Sequence, residues 1–152
     1  CTGEDIYLAE SFEPLMKCGG VSVIHPDTLT VGGMLEMKKL GDMCEKYGVA
    51  MAIHMAESPI GFMAALHAGA AVQNLLAVEY HSSDVKWWND LAFGIDNPII
   101  KDGFATVPMK PGLGIDSLNE ELIAVHIHKK YPGQWEPTDE WNKEWANDRT
   151  WS

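Results

Sequence analysis

Short apolar segments of this chain end at an acidic or imidazole side chain, and the pattern recurs along the first half of the sequence. Runs of β-branched and apolar residues of this length are typical of buried strands. In parallel α/β folds the carboxyl ends of the strands meet on one face, where polar groups converge. We therefore expect the closing side chains to lie together. They are Glu4 near the start, Asp27 after residues 21–24, His54 after residues 49–53, and Glu79 after residues 75–78.

Helical patterns separate these segments. Apolar residues recur at three- and four-residue steps over 34–47, which predicts an amphipathic helix that ends at Gly48. Residues 59–71 are small and apolar, which predicts a close-packed helix with Ser58 as its N-cap. A weaker helical pattern covers residues 6–17. Alternation of strands and helices predicts right-handed βα units in a parallel sheet.

The sequence changes character after His81. Turn-forming residues predict irregular structure with a short hairpin around 104–107, and residues 117–121 predict a cap for a last helix that runs to about Lys130. Four tryptophans in the tail predict that it packs against another surface. We expect three parts, namely a barrel portion at 1–82, a post-barrel segment at 83–131 and a Trp-rich tail at 132–152.

Composition limits the classes of function. The chain has 152 residues, enough for one domain with a core, and its net charge of −11 argues against a nucleic-acid partner. No apolar run approaches the roughly 20 residues that span a bilayer. The three cysteines, Cys1, Cys18 and Cys44, lack metal-ligand spacing. We expect free thiols in a reducing cytoplasm.

Three or four parallel strands leave a free edge and an uncovered apolar face. We therefore expect the chain to be the C-terminal part of a longer barrel. The other strands would come from a companion N-terminal polypeptide or would have been lost, and a self-sufficient open sheet is the alternative. Because Cys1 is not a natural start, we expect a processed, nicked or engineered beginning.

The ordered motifs from Glu4 to about Ile115 resemble the C-terminal half of the mandelate racemase/muconate lactonizing enzyme family of the enolase superfamily. They are Gly3-Glu4, Pro26-Asp27, Gly32-Gly33, Ile53-His54, Glu79 and the glycine-containing stretch 111–115. The tail resembles that of the family's acid-sugar dehydratases. The resemblance implies an α/β fold, a modified TIM-type (β/α)7β barrel. This chain would hold the end of strand 5 through strand 8 and a C-terminal extension, without the N-terminal capping domain to which 83–131 returns.

The resemblance also implies a Mg²⁺ ion that binds the substrate carboxylate. Glu4 would be one of three carboxylate ligands, with the other two supplied from outside this chain. By itself Glu4 is better interpreted as an exposed terminal residue, and the order of the motifs that follow it favours the ligand. The resemblance gives Glu79 a hydrogen bond to the substrate carboxylate, which requires a protonated side chain. The alternative for Glu79 is a solvent-facing loop residue.

His54 is the best catalytic candidate because imidazole, with an ordinary pKa of about 6.5, takes and returns protons near neutral pH. Asp27 at the neighbouring strand end can accept a hydrogen bond from one ring nitrogen, which fixes the tautomer and favours the protonated ring. His25, Glu57 and His81 flank these positions and are candidates for substrate binding. Structural histidines are the alternative for His25 and His81.

These residues and the resemblance predict a Mg²⁺-dependent dehydratase of acid sugars. Gluconate or galactonate would lose an α-proton and then the β-hydroxyl, giving a 2-keto-3-deoxy acid. A racemase, epimerase or cycloisomerase of the same superfamily is the first alternative. A non-catalytic barrel fragment with a binding or assembly role is the second. We expect a cytoplasmic protein, at least a dimer, with no membrane or nucleic-acid partner.

Overall fold

A three-stranded parallel sheet with two crossover helices forms the centre of the computed structural model, which describes residues 1–127. The strand order β1-β2-β3 follows the sequence. The predicted parallel βα units are therefore confirmed. The elements of this part are β1 Val23–Ile24, α2 Met34–Tyr47, β2 Ala50–Ile53, α3 Pro59–Gly69 and β3 Leu75–Val78, preceded by α1 Glu13–Lys17.

The two faces of the sheet differ in burial. In β2, Met51 and Ile53 are fully buried, whereas Ala50 and Ala52 between them are half-buried. Because side chains alternate along a strand, these pairs lie on opposite faces. Ile53 faces α3, since its Cδ1 lies 3.3 Å from where a Cβ of Gly69 would be. The helices therefore cover one face, and small side chains line the other.

The two crossover helices pack closely through small residues and buried apolar side chains. A Cβ on Gly41 of α2 would lie 2.6 Å from Cγ2 of Val72, which follows α3. The α2 helix ends at Gly48, which has a φ of 66°, as the sequence predicted. The buried residues of α2 are Met37, Leu40, Gly41 and Cys44, which recur at the predicted spacing.

The ends of two predicted helices need correction. The α3 helix starts at Pro59, as predicted, but the Ser58 side chain makes no capping hydrogen bond, and the helix ends at Gly69 rather than at residue 71. The stretch 6–17 is not one helix. A 3₁₀ helix at Ala9–Phe12 leads into α1, because Pro14 can stand only in the first turn of an α-helix.

The register between β2 and β3 contains one irregularity. Met51 pairs with Leu75, whereas the next residue of β2, Ala52, pairs with Ala77. Leu76 is therefore an extra residue on β3, and it is 63% exposed. This is a β-bulge, which inserts one unpaired residue into a strand.

Small antiparallel pairs follow the parallel sheet. The hairpin predicted near 104–107 exists, although its second strand covers only residues 104–105. The cap of the last helix is Asn119, since residues 117–118 form a strand, and that helix ends at His126 rather than at Lys130. The elements are β4 Ala92–Phe93, β5 Ile100–Lys101, β6 Phe104–Ala105, β7 Ser117–Leu118 and α4 Glu120–His126.

Other sequence predictions can be compared with the structure only in part. Cys1, Cys18 and Cys44 are free thiols, as expected. Among residues 1–127, none of the helices has the length and apolar character to cross a bilayer. The Trp-rich tail at 132–152 lies outside the described residues, so its packing stays a prediction. The proposed division into three parts also stays a prediction.

Candidate active site

Backbone hydrogen bonds align the segments that carry the candidate residues. Thr2 forms a parallel bridge with Ile24, and its carbonyl accepts the His25 N–H at 2.8 Å. Asp27 forms a parallel bridge with His54. The Glu79 N–H donates to the carbonyl of Ile53 at 2.8 Å. The segments thus end side by side, and we call this region the carboxyl edge of the sheet.

Asp27 and His54 form a hydrogen-bonded dyad at the carboxyl edge. Nδ1 of His54 lies 3.0 Å from Oδ2 of Asp27. The other oxygen, Oδ1, accepts the backbone N–H groups of Leu29 at 2.7 Å and Thr30 at 2.9 Å. The Asp27 side chain is 2% exposed and is held as a hydrogen-bond acceptor. Nδ1 of His54 therefore carries a hydrogen, and Nε2 of the neutral ring offers a lone pair.

The surroundings favour the charged forms of both dyad members. Burial alone raises the pKa of Asp27, but hydrogen bonds from Glu57, His54 and two backbone N–H groups outweigh it and lower that pKa. Burial alone lowers the pKa of His54. The hydrogen bond and charge of Asp27, with the charges of Glu79 and Glu57, outweigh burial and raise the His54 pKa. The pair has the arrangement of a general base with its orienting carboxylate.

Glu79 and His25 lie beside the imidazole ring of His54. Oε2 of Glu79 accepts the backbone N–H of Met55 at 3.2 Å. The same oxygen lies 3.3 Å from Nε2 of His25 and 3.8 Å from Nε2 of His54. Nδ1 of His25 lies 2.9 Å from the carbonyl oxygen of Ala52. The structure therefore brings Asp27, His54, Glu79 and His25 together, as predicted for strand ends.

Glu57 belongs to the same cluster. Its pKa is raised to about 7, first by burial and then by its hydrogen bond with Asp27 and the charge of that residue. The indole Nε1 of Trp88 donates to the backbone carbonyl of Glu57 at 2.9 Å, which fixes the loop. Trp88 is 4% exposed and packs in the core, and this hydrogen bond also makes it a support of the site. A sequence pattern gives no signal of a backbone partner.

Glu4 and His81 differ in their relation to the cluster. Glu4 is exposed, and its pKa is lowered by its own backbone N–H and by the positive charges of His54 and His25. Glu4 thus lies within the electrostatic reach of both rings. His81 is exposed and makes no hydrogen bond or ion pair with the other candidates among the described residues. A role for His81 in substrate binding stays a prediction.

The cluster offers two kinds of metal ligand. Asp27, His54 and Glu57 place ligand atoms within 4.8 Å of one another. That group suits hydrogen bonding better than Mg²⁺, because Asp27 already accepts from His54 and two backbone N–H groups, and Mg²⁺ prefers oxygen ligands. Glu4 fits as a single Mg²⁺ ligand, because it is an exposed carboxylate with a lowered pKa beside the dyad.

Comparison with known proteins agrees with this fold. Residues 1–122 match the enolase C-terminal domain-like family. D-xylonate dehydratase of Haloferax volcanii is 40% identical over 126 residues, which are 83% of this chain and 29% of that protein. D-galactonate dehydratase of Pectobacterium atrosepticum is 35% identical over 127 residues, which are 80% of this chain and 32% of that protein.

A solved structure gives the same result. A mandelate racemase/muconate lactonizing enzyme-like protein from Rubrobacter xylanophilus superposes with a TM-score of 0.79 and 33% identity, over 86% of this chain and 33% of that one. The chain spans about a third of the length of these relatives.

The parallel sheet and its imidazole–carboxylate dyad define an α/β domain with a site at the strand ends. The chain belongs to the enolase C-terminal domain-like family and is of the mandelate racemase/muconate lactonizing enzyme type. The relatives in Haloferax volcanii and Pectobacterium atrosepticum are dehydratases of acid sugars, and the chain matches them over part of their length. The predicted resemblance and fold class are confirmed.

Proposed function

We propose that the protein is a dehydratase of acid sugars that begins its reaction by removing the proton next to the substrate carboxylate. The observation that carries the proposal is the His54–Asp27 dyad, in which Nδ1 is bound at 3.0 Å and Nε2 is left for the substrate proton. The names of the relatives in Haloferax volcanii and Pectobacterium atrosepticum support C5 and C6 aldonates as the first substrates to test.

Each residue of the carboxyl edge has its own role in the proposed reaction. His54 takes the α-proton at Nε2, or returns a proton to the departing β-hydroxyl group. Asp27 fixes the tautomer and stabilises the imidazolium that forms. Glu79 hydrogen bonds to the substrate carboxylate. His25, Glu57 and His81 remain candidates for contacts to the substrate hydroxyl groups.

Glu4 would be one ligand of a Mg²⁺ ion. Such an ion supplies Lewis-acid stabilisation of the negative charge that develops on the substrate carboxylate. A single described carboxylate does not make a magnesium site, so we propose that a companion N-terminal segment supplies the other ligands and the remaining strands. The half-buried face of β2 and the exposed residues Leu76 and Ala77 of β3 support such a covering segment.

Intact mass spectrometry, native and then denatured, tests the companion segment. We expect the 16.8 kDa chain to be bound to a larger polypeptide under native conditions. A folded chain without a bound partner would contradict the proposed site and favour the non-catalytic alternative. We further propose a cytoplasmic homo-oligomer of at least two copies, which the native masses also test.

An aldonate panel with Mg²⁺ tests the activity. D-xylonate, D-galactonate and D-gluconate are incubated with the complex, and 2-keto-3-deoxy product is measured. We expect product from at least one of them, and a loss of about 10²–10⁴-fold in H54N. Exposed His126 of α4, which stacks on Trp87, provides the matched control H126N. Exchange of the α-hydrogen with solvent without dehydration would favour a racemase or epimerase instead.

A further inference from the structure

The imidazole of His25 has both of its nitrogens engaged. Nδ1 lies 2.9 Å from the carbonyl oxygen of Ala52, and Nε2 lies 3.3 Å from Oε2 of Glu79. A carbonyl oxygen can only accept a hydrogen bond, so Nδ1 must carry a hydrogen. In the neutral ring, Nε2 therefore presents its lone pair to Glu79.

The contact between His25 and Glu79 requires a shared proton. An ionised carboxylate has only acceptor sites, and so does the unprotonated Nε2. Two lone pairs that face each other repel, so the 3.3 Å contact is attractive only when one proton lies between the two atoms. Oε2 also accepts the N–H of Met55 at 3.2 Å, which holds the carboxyl group in place.

A second imidazole approaches the same oxygen. Nδ1 of His54 donates to Asp27, and Nε2 of His54 lies 3.8 Å from Oε2 of Glu79. The two histidine rings are perpendicular, with centroids 5.3 Å apart. Both rings thus have Nδ1 fixed as a donor, that of His54 by the Asp27 carboxylate and that of His25 by the Ala52 carbonyl. In both rings Nε2 faces Oε2 of Glu79. The side chains are 22% to 33% exposed, so the protein partly shields them from solvent.

We propose that Glu79 and His25 form a proton relay for His54. A proton taken up by Nε2 of His54 passes to Oε2 of Glu79, while the proton already shared on Oε2 passes to Nε2 of His25. The N–H bond of His54 and the O–H bond of the shared proton break, a new O–H bond forms on Glu79, and a new N–H bond forms on His25. The positive charge moves from the His54 ring to the His25 ring, and the Glu79 carboxyl group stays neutral. No co-reactant is needed.

The relay deepens the proposed function and rests on it, because it explains how His54 is freed of the substrate proton. The 3.8 Å separation exceeds a hydrogen bond, so the first transfer follows a small movement of the Glu79 side chain when substrate binds. His25 acts through Glu79 and is a positioning residue. The other ionisable groups around the relay are Asp27 and Glu57, which act on His54, and Glu4, which acts on both rings.

Long-range ¹H–¹⁵N spectra of the histidines test the proton positions without substrate. The protein is ¹⁵N-labelled and purified with any companion segment, and H25Q and H54Q assign the signals. We expect neutral His25 and neutral His54 both to carry hydrogen on Nδ1. The exposed His81 is the internal reference for the tautomer mixture of free histidine. Neutral His25 with its hydrogen on Nε2 would overturn the relay.

Titration of the same histidine signals with pH tests whether His25 and Glu79 share a proton. Because one oxygen links the two rings, we expect the Nε2 signal of His25 to respond in two steps, one of which follows protonation of His54. In E79Q the linking oxygen can no longer pass a proton, and His25 is expected to respond in a single step. Single-step behaviour of His25 in the parent protein would contradict a shared proton.

Substitutions of His25 test whether the relay serves the reaction. The glutamine of H25Q keeps a donor near Glu79 but cannot take up a proton, and the asparagine of H25N keeps the donor to Ala52. We expect both to lower kcat by about tenfold or more, to change its pH profile, and to leave KM within about twofold. Full activity of H25Q with the parent pH profile would show a merely structural role and overturn the proposal.

The two measurements separate this inference from the proposed function. If no aldonate is dehydrated but the tautomers and the two-step titration are found, the dehydratase assignment fails and the shared proton stands. If an aldonate is dehydrated but neutral His25 carries hydrogen on Nε2, the function stands and the relay is wrong.

Discussion

Asp27 and His54 are paired through both their backbones and their side chains. The two residues form a parallel bridge, and the His54 N–H donates to the carbonyl of Pro26 at 2.9 Å. Their side chains meet at 3.0 Å in the same place. The backbone pairing therefore sets the distance between base and orienting carboxylate, and little side-chain freedom is lost when the dyad forms.

The substitution D27N tests the charge of the dyad. The asparagine can still accept the N–H groups of Leu29 and Thr30, but it carries no charge to favour imidazolium. We expect the pKa of His54 to fall and kcat to drop by about 10²–10⁴-fold. Titration of the His54 ring by NMR measures the first effect. D42N, which alters an exposed aspartate paired with Lys38 on α2, should leave both values unchanged.

Glu57 should make stability depend on pH. Its pKa rises from 4.5 to about 7 on folding, so the folded state binds the proton more tightly. This contribution to stability is complete below about pH 4.5 and is lost as the pH rises through about 7. We expect the free energy of unfolding to fall across this range by on the order of 1 kcal/mol, since partial exposure to solvent weakens the effect.

The substitution E57Q should remove most of that slope. The raised pKa of His54 acts in the same direction, because its contribution is present below about pH 6.5 and is lost at higher pH. A smaller slope therefore remains in E57Q. Urea denaturation at pH 5 and pH 8 measures the difference. E45Q, at an exposed site of α2, is the control, and an equal slope in E57Q and the parent protein would contradict the raised pKa.

The close approach of Gly41 to Val72 predicts opposite effects of alanine at two helical glycines. A Cβ at Gly41 would lie 2.6 Å from Cγ2 of Val72, so G41A should cost about 1–3 kcal/mol. At Gly61 of α3 the nearest atom would be 3.4 Å away, so G61A should gain up to about 1 kcal/mol from helix propensity. Urea denaturation measures both. Adding V72A to G41A should recover part of the loss, and additive effects would show that the crowding is absent.

Asn119 should stabilise α4 through its side chain. Its Oδ1 accepts the Leu122 N–H at 3.2 Å, and its Nδ2 donates to the carbonyl of Asp90 at 3.0 Å. N119A should lower the free energy of unfolding by about 1 kcal/mol. N119D keeps the acceptor at the helix start and should recover much of the loss. If N119D is as unstable as N119A, the bond to Asp90 contributes more than the cap.

The secondary structure was predictable where the signal is local. Apolar runs gave the strands, and spacing with Gly48 gave α2, because those patterns follow from which face of an element is buried. The cap of the last helix is Asn119, which lies within the predicted stretch 117–121. The pairing of residues 117–118 with β4 was not predictable, because it depends on a partner strand that is distant along the chain.

The convergence of Asp27, His54 and Glu79 was predictable because parallel strands end on one face. The position of His25 between Ala52 and Glu79 was not, since one of its partners is a backbone carbonyl that any residue would supply. The raised pKa of Glu57 depends on burial and on its distance from Asp27, which spacing along the chain does not reveal. The convergence of these side chains is thus predictable from the sequence, but their hydrogen-bond partners and protonation are not.

The β-bulge at Leu76 determines on which face of the sheet Glu79 lies. If Leu75 through Glu79 alternated without interruption after the Met51–Leu75 pair, Glu79 would point to the helices rather than beside His54. Because Leu76 lies outside the ladder, the alternation of side chains resumes one residue later, and Glu79 lies on the same side of the sheet as His54. The bulge, rather than the identity of the side chain at 76, therefore keeps this carboxyl group beside His54. Because Ala77 and Val78 already pair with Ala52 and Ile53, a one-codon deletion at Leu76 would give an uninterrupted ladder and leave Glu79 in the site.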